Sequence, residues 1–447
     1  MLTIDDQIGA YVEAFGHRHK QVSAQDRWCD SLQEAAMDRF VELGFPSTAD
    51  EDWRDTRLEH ITNTAFCLAK SDASNCSAAT VASYGFPGLE STVLVFVDGH
   101  WNPELSSTTH VSRGVYIGSL AIAIDTNREQ VEPHFAQYAN GQQDSFAALN
   151  TAFADDGLFV CVPNNTIVDR PIHAIYISSA SGDEPVMTHP RNLIVVGQSS
   201  DVTVIEDYVS LGDRKHFTNT VTELVIAENA RAGHYRLCRE NPSAISVTTL
   251  RTRQLQDSSL ISHSVMTGGQ WVRNNLHNEF MGPNGTSLLN GLYVNRRSQH
   301  VDNHMVVEHA APHCSSRQVY TGILDDQASA VFGGRIMVSK DAQKTDAKQS
   351  NRNLLLSEAA QVNAKPQLEI YADDVKCTHG ATVGQINEEA VYYFRTRGLS
   401  EPAARALAVY AFASESLGRM DLDSIRANLS RTILAQLPHG DLIEKVV

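Results

Sequence analysis

The stretch SLISH at residues 259–263 is followed by two similar stretches, SLLNG at 287–291 and AVFGG at 330–334. Aligned by their starts, they lie 28 and 43 residues apart. Small polar residues and glycine recur in them where a chain would turn and stack on its neighbour. Repeats of this size indicate stacked β coils, that is, a solenoid or β-helix. A β-sandwich with long hairpins is the alternative, and periodicity alone leaves both open.

Outward from these stretches, the chain is a succession of short apolar and β-branched runs bounded by turn residues. The runs lie at 93–97, 172–177, 193–196, 202–205, 221–226, 245–250, 288–294, 305–307, 319–324 and 331–338. Turn signals such as Asn241-Pro242-Ser243 and Pro283-Asn284-Gly285 separate them. Because no convincing helical period interrupts the succession, the pattern predicts a large all-β structure.

Both ends of the chain have a helical pattern instead. Near the start, apolar residues recur every four positions: Trp28, Leu32, Ala36 and Phe40. This spacing predicts an amphipathic helix of about five turns that stops at Gly44. Beyond the β runs, Asn387 is a predicted N-cap, and further helices extend to about residue 437. The predicted division is an N-terminal helical domain over 1–90, a β core over 91–384 and a C-terminal helical domain over 385–447.

One stretch inside the β region is almost wholly polar. It is SKDAQKTDAKQSNRN at residues 339–353. We predict that it is a solvated excursion from the β body.

Composition excludes several classes of protein. The chain has 447 residues, with 36 Lys+Arg against 53 Asp+Glu, which gives a net charge of −17, and 42% of its residues are hydrophobic. That apolar content is sufficient for a folded core. The acidic balance argues against a partner that is nucleic acid or an anionic membrane. The longest apolar runs, such as 93–97, are far too short to cross a bilayer.

The cysteines favour a reducing compartment. There are 7, an odd number, and no C-x-x-C occurs. A thioredoxin-type motif and a zinc ribbon are therefore excluded. The acidic start of the chain lacks the apolar stretch of a signal peptide, so we expect a cytoplasmic protein.

Several catalytic motifs are missing. The sequence contains no G-x-x-x-x-G-K-[ST], no G-x-G-x-x-G, no H-E-x-x-H and no G-x-S-x-G. Common nucleotide-binding, metalloprotease and serine-hydrolase classes become improbable. The absences favour a scaffold or assembly role over an enzyme.

The first candidate site is the run from Asp302 to Cys314, which contains His304, Glu308, His309 and His313. Imidazole, carboxylate and thiolate are the ligands of iron and zinc, so the run could bind metal. Alternate residues of a strand, however, point to opposite faces, so that these side chains need not converge.

The second candidate site is DDVKCTHGAT at residues 373–382. Cys377 and His379 stand at i and i+2, so they share one face of a strand. We expect Lys376 and His379 to lower the pKa of the Cys377 thiol and to favour thiolate. A thiolate is a soft ligand for an iron–sulfur cluster, and His379 is a candidate iron ligand. The alternative is that Cys377 is a small buried hydrophobe and His379 a satisfied polar group.

The third candidate is an aromatic set on the C-terminal helices. Its members are Tyr392, Tyr393, Phe394, Tyr410 and Phe412, accompanied by Leu407. They either pack against the β core or form a docking face for a partner, since aromatic residues are enriched in interface cores.

The second site lies within a longer run that carries a family resemblance. QLEIYADDVKCTHGATVG at 367–384 closely resembles the signature of the SufB/SufD family, and YFRTRG at 393–398 and YAFASE at 410–415 continue the match. Shorter similarities lie at 309–318, 331–336, 353–356 and, near the start, at WRDT, 53–56. The sequence DDVKCTHGATVG is similar to the SufD branch. The clustered-Cys motif often found near the N-terminus of the SufB branch is missing.

The resemblance implies a right-handed parallel β-helix flanked by N- and C-terminal helical domains. It implies a scaffold subunit, not an enzyme, that acts with SufB and the ATPase SufC in iron–sulfur cluster assembly and iron acquisition. The C-terminal helical domain would dock SufC, and the missing P-loop agrees with ATP hydrolysis by that partner. Cys377 and His379 would lie near the interface with SufB.

For cofactors, the resemblance implies that the isolated chain holds none stably. An iron–sulfur cluster or iron would be present only transiently, at the interface of the complex. A homodimer remains open for the isolated chain. Two rival hypotheses are an independent β-helix enzyme acting on polysaccharide and a metal-storage protein using the run from His304 to Cys314. The first would need an array of carboxylates or basic groups along a groove, and nothing in the sequence singles one out.

Overall fold

The computed structural model describes residues 4–22, 27–70, 76–108, 111–179, 182 and 184–443. The α-helices are α1 Ile4–Val22, α2 Asp30–Leu43, α3 Glu59–Thr62, α4 Ala78–Tyr84, α5 Leu120–Thr126, α6 Arg128–Val131, α7 Ser145–Phe153, α8 Glu388–Thr396, α9 Glu401–Leu417 and α10 Asp423–Gln436. Short 3₁₀ turns occupy Glu51–Trp53 and Gly440–Leu442.

The strands carry most of the chain between these helices. They are β1 Cys67–Leu68, β2 Thr92–Val97, β3 His100–Trp101, β4 Tyr116–Ser119, β5 Leu158–Val162, β6 Ile172–Ser178, β7 Val186–Thr188, β8 Arg191–Val196, β9 Asp201–Ser210, β10 His216–Ile226, β11 Arg231–Arg239, β12 Ile245–Gln254, β13 Ser259–Met266, β14 Trp271–Phe280, β15 Thr286–Asn295, β16 His300–His309, β17 Ser315–Leu324, β18 Ser329–Val338, β19 Asp346–Leu355, β20 Gln361–Ile370 and β21 Lys376–Gly384.

From β8 onward, successive strands alternate between two sheets, and each pairs in parallel with a strand of the coil before it. One sheet has the order β20-β18-β16-β14-β12-β10-β8-β5-β4, and the other has the order β21-β19-β17-β15-β13-β11-β9-β6-β2-β3. The result is a parallel β-solenoid of about 7 turns between residues 172 and 384. This confirms the predicted β-helix core with helical regions at both ends. The β-sandwich alternative is wrong, because its hairpins would be antiparallel.

The register of the coils differs from the alignment of the three similar stretches. Ser259 on β13 lies opposite Thr286 on β15, so SLISH and SLLNG pair with a shift of one residue from the expected alignment. The AVFGG stretch lies on β18, in the other sheet. A shift of one residue exchanges the inward and outward faces of a strand. The sequence similarity of the three stretches therefore indicated stacked coils, but it did not predict which residues pair between neighbouring strands.

Alternate residues of each strand point into the solenoid or out towards the helices that cover it. The inward residues, including Val204, Leu260 and Leu289, form the core cluster of the solenoid. Outward residues of the sheet that ends in β21, such as Leu292, pack against α9 and α10. Outward residues of the other sheet, such as Trp271, pack against the N-terminal helices. Each fully buried side chain of this size contributes about 1.5–3 kcal/mol to stability.

The prediction of a solvated excursion at 339–353 is wrong for its second half. Residues from Asp346 onward form β19, in register with β17 on one side and β21 on the other. Gln349, Asn351 and Asn353 are buried on its inward face. Each makes at least one hydrogen bond inside the solenoid: Gln349 Nε2 donates to Gln318 Oε1 at 2.8 Å, and Asn353 Nδ2 donates to Asn351 Oδ1 at 2.6 Å. A polar strand is stable there because its buried amides are hydrogen-bonded.

The helix predicted around Phe40 is shorter than expected. It is α2, whose 14 residues make about four turns, because Trp28 and Cys29 form a turn before it. Its buried face is formed by Gln33, Ala36, Met37 and Phe40. Over the described ranges, none of the helices has the length and apolarity needed to cross a bilayer.

Helices α5 to α7 lie within the region that the sequence predicted as β. All nine residues of α7 are buried, so the helix has no polar face and no amphipathic period to reveal it. The predicted domain boundaries at residues 90 and 384 stay predictions.

Candidate functional site

The last coil of the solenoid leaves one edge of each sheet unpaired. Among the strands that the structure describes, β20 pairs with β18 alone and β21 with β19 alone, at the ends of the two strand orders. Apolar side chains are exposed around these strands: Tyr371 is 66% exposed and Val383 is 48% exposed. An unpaired edge with exposed apolar groups is a surface on which another chain can pair. We call this surface, formed by β20, β21 and the turn between them, the open end.

Cys377 and His379 lie on β21, at the mouth of the solenoid. Cys377 pairs with Ala347 and His379 pairs with Gln349, both of which point inward on β19. The two side chains therefore continue the inward-facing row, as the spacing predicted, about 7 Å apart along the strand. Cys377 is partly buried against Ala347 and Ala372, whereas His379 is exposed.

The turn before Cys377 is fixed by backbone hydrogen bonds to the preceding coil. The amide of Tyr371 donates to the carbonyl oxygen of Val338 at 2.9 Å. The amide of Lys344 donates to Asp374 at 2.7 Å, and the amide of Lys376 donates to Thr345 at 2.8 Å. The thiol and the imidazole are thus carried by an ordered strand rather than by a free loop.

The expectation of a lowered thiol pKa is wrong for this chain. Burial raises the pKa of Cys377, the Asp346 carboxylate raises it further, and only a hydrogen bond from the backbone of Ala347 lowers it. Lys376 is exposed and does not offset the burial. The thiol is therefore protonated at neutral pH unless a metal or a partner lowers its pKa.

Polar side chains extend from the mouth into the solenoid. Behind His379, Nε2 of Gln349 on β19 donates to Oε1 of Gln318 on β17, one coil further into the solenoid. Asn351 donates to the hydroxyl of Tyr293 at 3.2 Å, and that hydroxyl also bonds Asn353. We did not predict this row of buried amides from the sequence. The signal that could have shown it is the alternation of Gln349, Asn351 and Asn353 within the polar stretch.

The residues from Asp302 to Cys314 are not brought together. His304 points outward and lies 3.1 Å from Asp52, whereas His309 points inward, 2.9 Å from the hydroxyl of Ser316. His313 lies in a turn with φ of 62°, and Cys314 is buried. Among the described residues, no group of three or more His, Cys, Asp or Glu is arranged to hold a metal ion. The alternative that these side chains lie on opposite faces is confirmed.

The aromatic set on the C-terminal helices divides into two parts. Tyr392 is 69% exposed and Tyr393 is 55% exposed on α8, which Asn387 caps as predicted by accepting from the amide of Glu389 at 2.8 Å. Phe394 lines a groove of about 340 Å³ between α8, α9 and the end of β21. Tyr410 and Phe412 pack on the core side, and the guanidinium of Arg352 lies 5.1 Å from the Phe412 ring. Within the aromatic set, Tyr392 and Tyr393 are the exposed members, and Phe394, Tyr410 and Phe412 are partly buried.

Comparison with known proteins covers most of the chain. Residues 6–174 match the family model described as the SufBD protein N-terminal region, and residues 176–412 match "SUF system FeS cluster assembly, SufBD core domain". The chain is 32% identical to the iron–sulfur cluster assembly protein SufD of Escherichia coli K12, over 90% of this chain and 92% of that protein.

Two further relatives cover almost the full length. An iron–sulfur cluster assembly SufBD family protein of Synechocystis is 32% identical over 96% of this chain and 95% of its own. The iron–sulfur cluster assembly protein SufD of Bacillus subtilis is 24% identical over 97% of this chain and 98% of its own. The chain therefore belongs to the SufB/SufD family. Within that family it groups with the SufD proteins.

Proposed function

We propose that this chain is a cytoplasmic, non-catalytic scaffold subunit of an iron–sulfur cluster assembly complex. In this proposal, a SufB-like subunit binds the open end and a SufC-like ATPase binds the C-terminal helices. The observation that carries the proposal is that the last strand of each sheet has one free edge, and that the inward row of β21 presents a thiol and an imidazole. The match over 90% of the chain to an iron–sulfur cluster assembly protein supports it.

The open end is suited to a partner that adds strands. The amide of Lys376 points to β19, because it donates to Thr345. Since alternate residues of a parallel strand direct their amides to opposite sides, those of Cys377, His379, Ala381 and Val383 point to the free edge. A partner strand along β21 would satisfy them and cover the exposed Val383 and Tyr371. Without such a partner, two copies of this chain could pair through the same edge.

The cluster, as cargo, would be shared between subunits. This chain offers two ligands at the mouth, Cys377 and His379, whereas a [2Fe–2S] or [4Fe–4S] cluster takes four protein ligands. The remaining ligands would come from the partner that closes the open end. His379 can bind iron as neutral imidazole, and iron binding would deprotonate the Cys377 thiol.

The ATPase would dock on α8. Tyr392 and Tyr393 are exposed side by side on a helix that stands outside the solenoid, and large aromatic groups that bury on binding dominate interface energies. In this proposal the open end and the α8 tyrosines bind different partners, although the groove beside Phe394 also reaches Val383 of β21.

The test is co-purification of the tagged chain with its SufB-like and SufC-like partners from one organism. Ala381→Pro removes an amide from the free edge without removing a hydrogen bond to β19, so it should abolish SufB-like binding and retain the ATPase. Ala381→Ser keeps the amide and serves as the matched control. Tyr392→Ala combined with Tyr393→Ala should give the reverse pattern. If Ala381→Pro folds and still binds the SufB-like subunit undiminished, the assignment of the open end is wrong.

A further inference from the structure

Inside the solenoid, far from the open end in sequence, lies a buried arginine that forms no direct ion pair with another described residue. Arg236 is on the inward face of β11 and only 3% exposed. Its Nη1 donates to Oδ1 of Asn274 at 2.7 Å across the interior, but Nε and Nη2 have no hydrogen-bond partner. Among the residues that the structure describes, no carboxylate oxygen lies within 4.0 Å of the Arg236 guanidinium.

The nearest carboxylate along the ladder is occupied elsewhere. Glu206 pairs with Arg236 between β9 and β11. Its carboxylate accepts from the hydroxyls of Tyr208 at 2.7 Å and Thr222 at 2.9 Å, and it lies 3.3 Å from Nε2 of His234. These contacts outweigh burial and hold the pKa of Glu206 below its usual value. The oxygens of Glu206 are therefore bonded to other groups and do not complete the hydrogen bonds of Arg236.

The surroundings of Arg236 present further donors without acceptors. Because Asn274 accepts from Arg236, its Nδ2 faces Asn303 and donates to Oδ1 at 2.9 Å. The Nδ2 group of Asn303 is then left without a partner. The hydroxyl of Tyr320 also lacks a well-aligned hydrogen bond. The interior around Arg236 thus has more donors than acceptors.

Tyr320 reaches this region because the strand beside it carries glycine. Gly291 pairs with Tyr320, and a Cβ at Gly291 would lie 2.1 Å from the Tyr320 ring. The ring therefore lies across Gly291, with its hydroxyl beside Ser264, Asn274 and Arg236. Those three neighbours lower the pKa of Tyr320, but burial raises it more, to about 12. The phenol stays protonated at neutral pH and is a further donor.

A guanidinium only donates, and buried donors without an acceptor are costly. A water bound there would bring two donors of its own, whereas a halide ion only accepts. We propose that Arg236, Asn274, Asn303 and Tyr320 bind a small monovalent inorganic anion of halide size inside the solenoid. This site does not depend on the proposed assembly function.

The test uses the full-length chain and chloride as the probe. Thermal unfolding is measured in sodium chloride and in sodium gluconate at equal ionic strength, because gluconate is too large for the interior. An anion that binds only the native state raises the unfolding midpoint with its concentration, and we expect a chloride-specific rise of about 1 °C or more. Arg236→Met should remove it. Arg57→Met, at an exposed arginine, should leave it unchanged.

If Arg236→Met does not fold, two other variants and a crystallographic measurement test the proposed anion site. Tyr320→Phe and Asn303→Leu each remove one neutral donor, and each should reduce the chloride-specific rise. Crystals grown in bromide should show anomalous density within hydrogen-bond distance of Arg236. Equal midpoints of the unaltered chain in both salts would overturn the proposal. So would bromide found on the surface alone, as an adventitious ion only.

Discussion

The first end of the solenoid is closed by short antiparallel strands, whereas the last coil leaves an edge of each sheet unpaired. At the first end, β3 pairs antiparallel with β2 and β4 pairs antiparallel with β5. These two edge strands have only 2 and 4 residues. At the last coil, β20 and β21 are full-length strands of 10 and 9 residues with one free edge each. Short edges prevent pairing with other chains, and long free edges invite it.

The closed end is also tied together from within. The carboxylate of Asp156 is buried and accepts from the hydroxyl of Ser119 at 2.6 Å and from the amides of Trp101 at 2.8 Å and Gly157 at 2.8 Å. These contacts connect β3, β4 and the start of β5. At the open end the corresponding polar groups are on the surface, such as Asp374, whose partner Lys344 is equally exposed. The difference suggests that one end is built to terminate the solenoid and the other to be completed by a partner.

The largest effect is expected at the part of the open end that would hold the iron–sulfur cluster. His379→Ala removes the exposed imidazole, so cluster formation by the co-expressed complex should fall at least about tenfold. Cys377→Ser should reduce it less, because the thiol of this chain is partly buried and protonated. The measurements are the cluster absorbance of the purified complex and the thermal melting of each variant.

The matched control for that experiment is His17→Ala, at an exposed histidine on α1. It should assemble clusters normally. Normal assembly by a stably folded His379→Ala complex would show that the site is assigned wrongly. A His379→Ala chain that fails to fold would show that the imidazole is structural.

The sequence was sufficient for the architecture because apolar runs and turns recur along each coil. It was insufficient for the register between coils. Ser259 pairs with Thr286 and not with Ser287, and packing between neighbouring coils decides this pairing. It also failed at Gln349, Asn351 and Asn353, where a strand is polar on its buried face. Amide ladders form only between neighbouring coils, so that no single segment reveals whether its polar residues are solvated or buried.

The candidate site shows the same limit. The spacing of Cys377 and His379 correctly placed both on one face of a strand, because that relation is local. The raised pKa of the thiol was not predictable, since it depends on burial against Ala347 and on Asp346, both one coil away. The separation of His304 from His309 followed directly from strand alternation, and that alternative was confirmed.

An intermediate effect is expected when the closed end is loosened. Asp156→Ala leaves buried donors of Ser119, Trp101 and Gly157 without an acceptor, so it should lower the free energy of unfolding by about 2–4 kcal/mol. The comparison variant is Asp374→Ala at the open end, where an exposed ion pair should contribute about 0.5 kcal/mol or less. Urea unfolding followed by circular dichroism measures both. Equal losses in the two variants would contradict the proposed difference between the ends.

The smallest effect concerns the 3₁₀ turn at Glu51–Trp53, which lies on the outer face of the solenoid and reaches its last coils. Asp52 is bound to His304, and this hydrogen bond lowers the pKa of the Asp52 carboxyl from its usual 3.8 to about 2, despite partial burial. A carboxyl whose pKa is lower in the folded state stabilises the fold above its unfolded pKa, and this stabilisation disappears as the pH falls through its folded pKa. Asp52→Asn should therefore destabilise the chain at pH 5–7, and the difference from the unaltered chain should vanish between about pH 4 and pH 2.

The size of that effect is limited because the Asp52 side chain is 53% exposed and solvent screens the contact. We expect about 1 kcal/mol or less at neutral pH, and less at high salt. Glu51→Gln is the matched control, since the contact of its side chain with Gln367 is a long one, at 3.5 Å. Unfolding midpoints measured from pH 2 to pH 7 distinguish the two variants. A loss in Asp52→Asn that persists unchanged at pH 2 would mean that packing of the turn against the last coils, rather than the carboxylate, holds it in place.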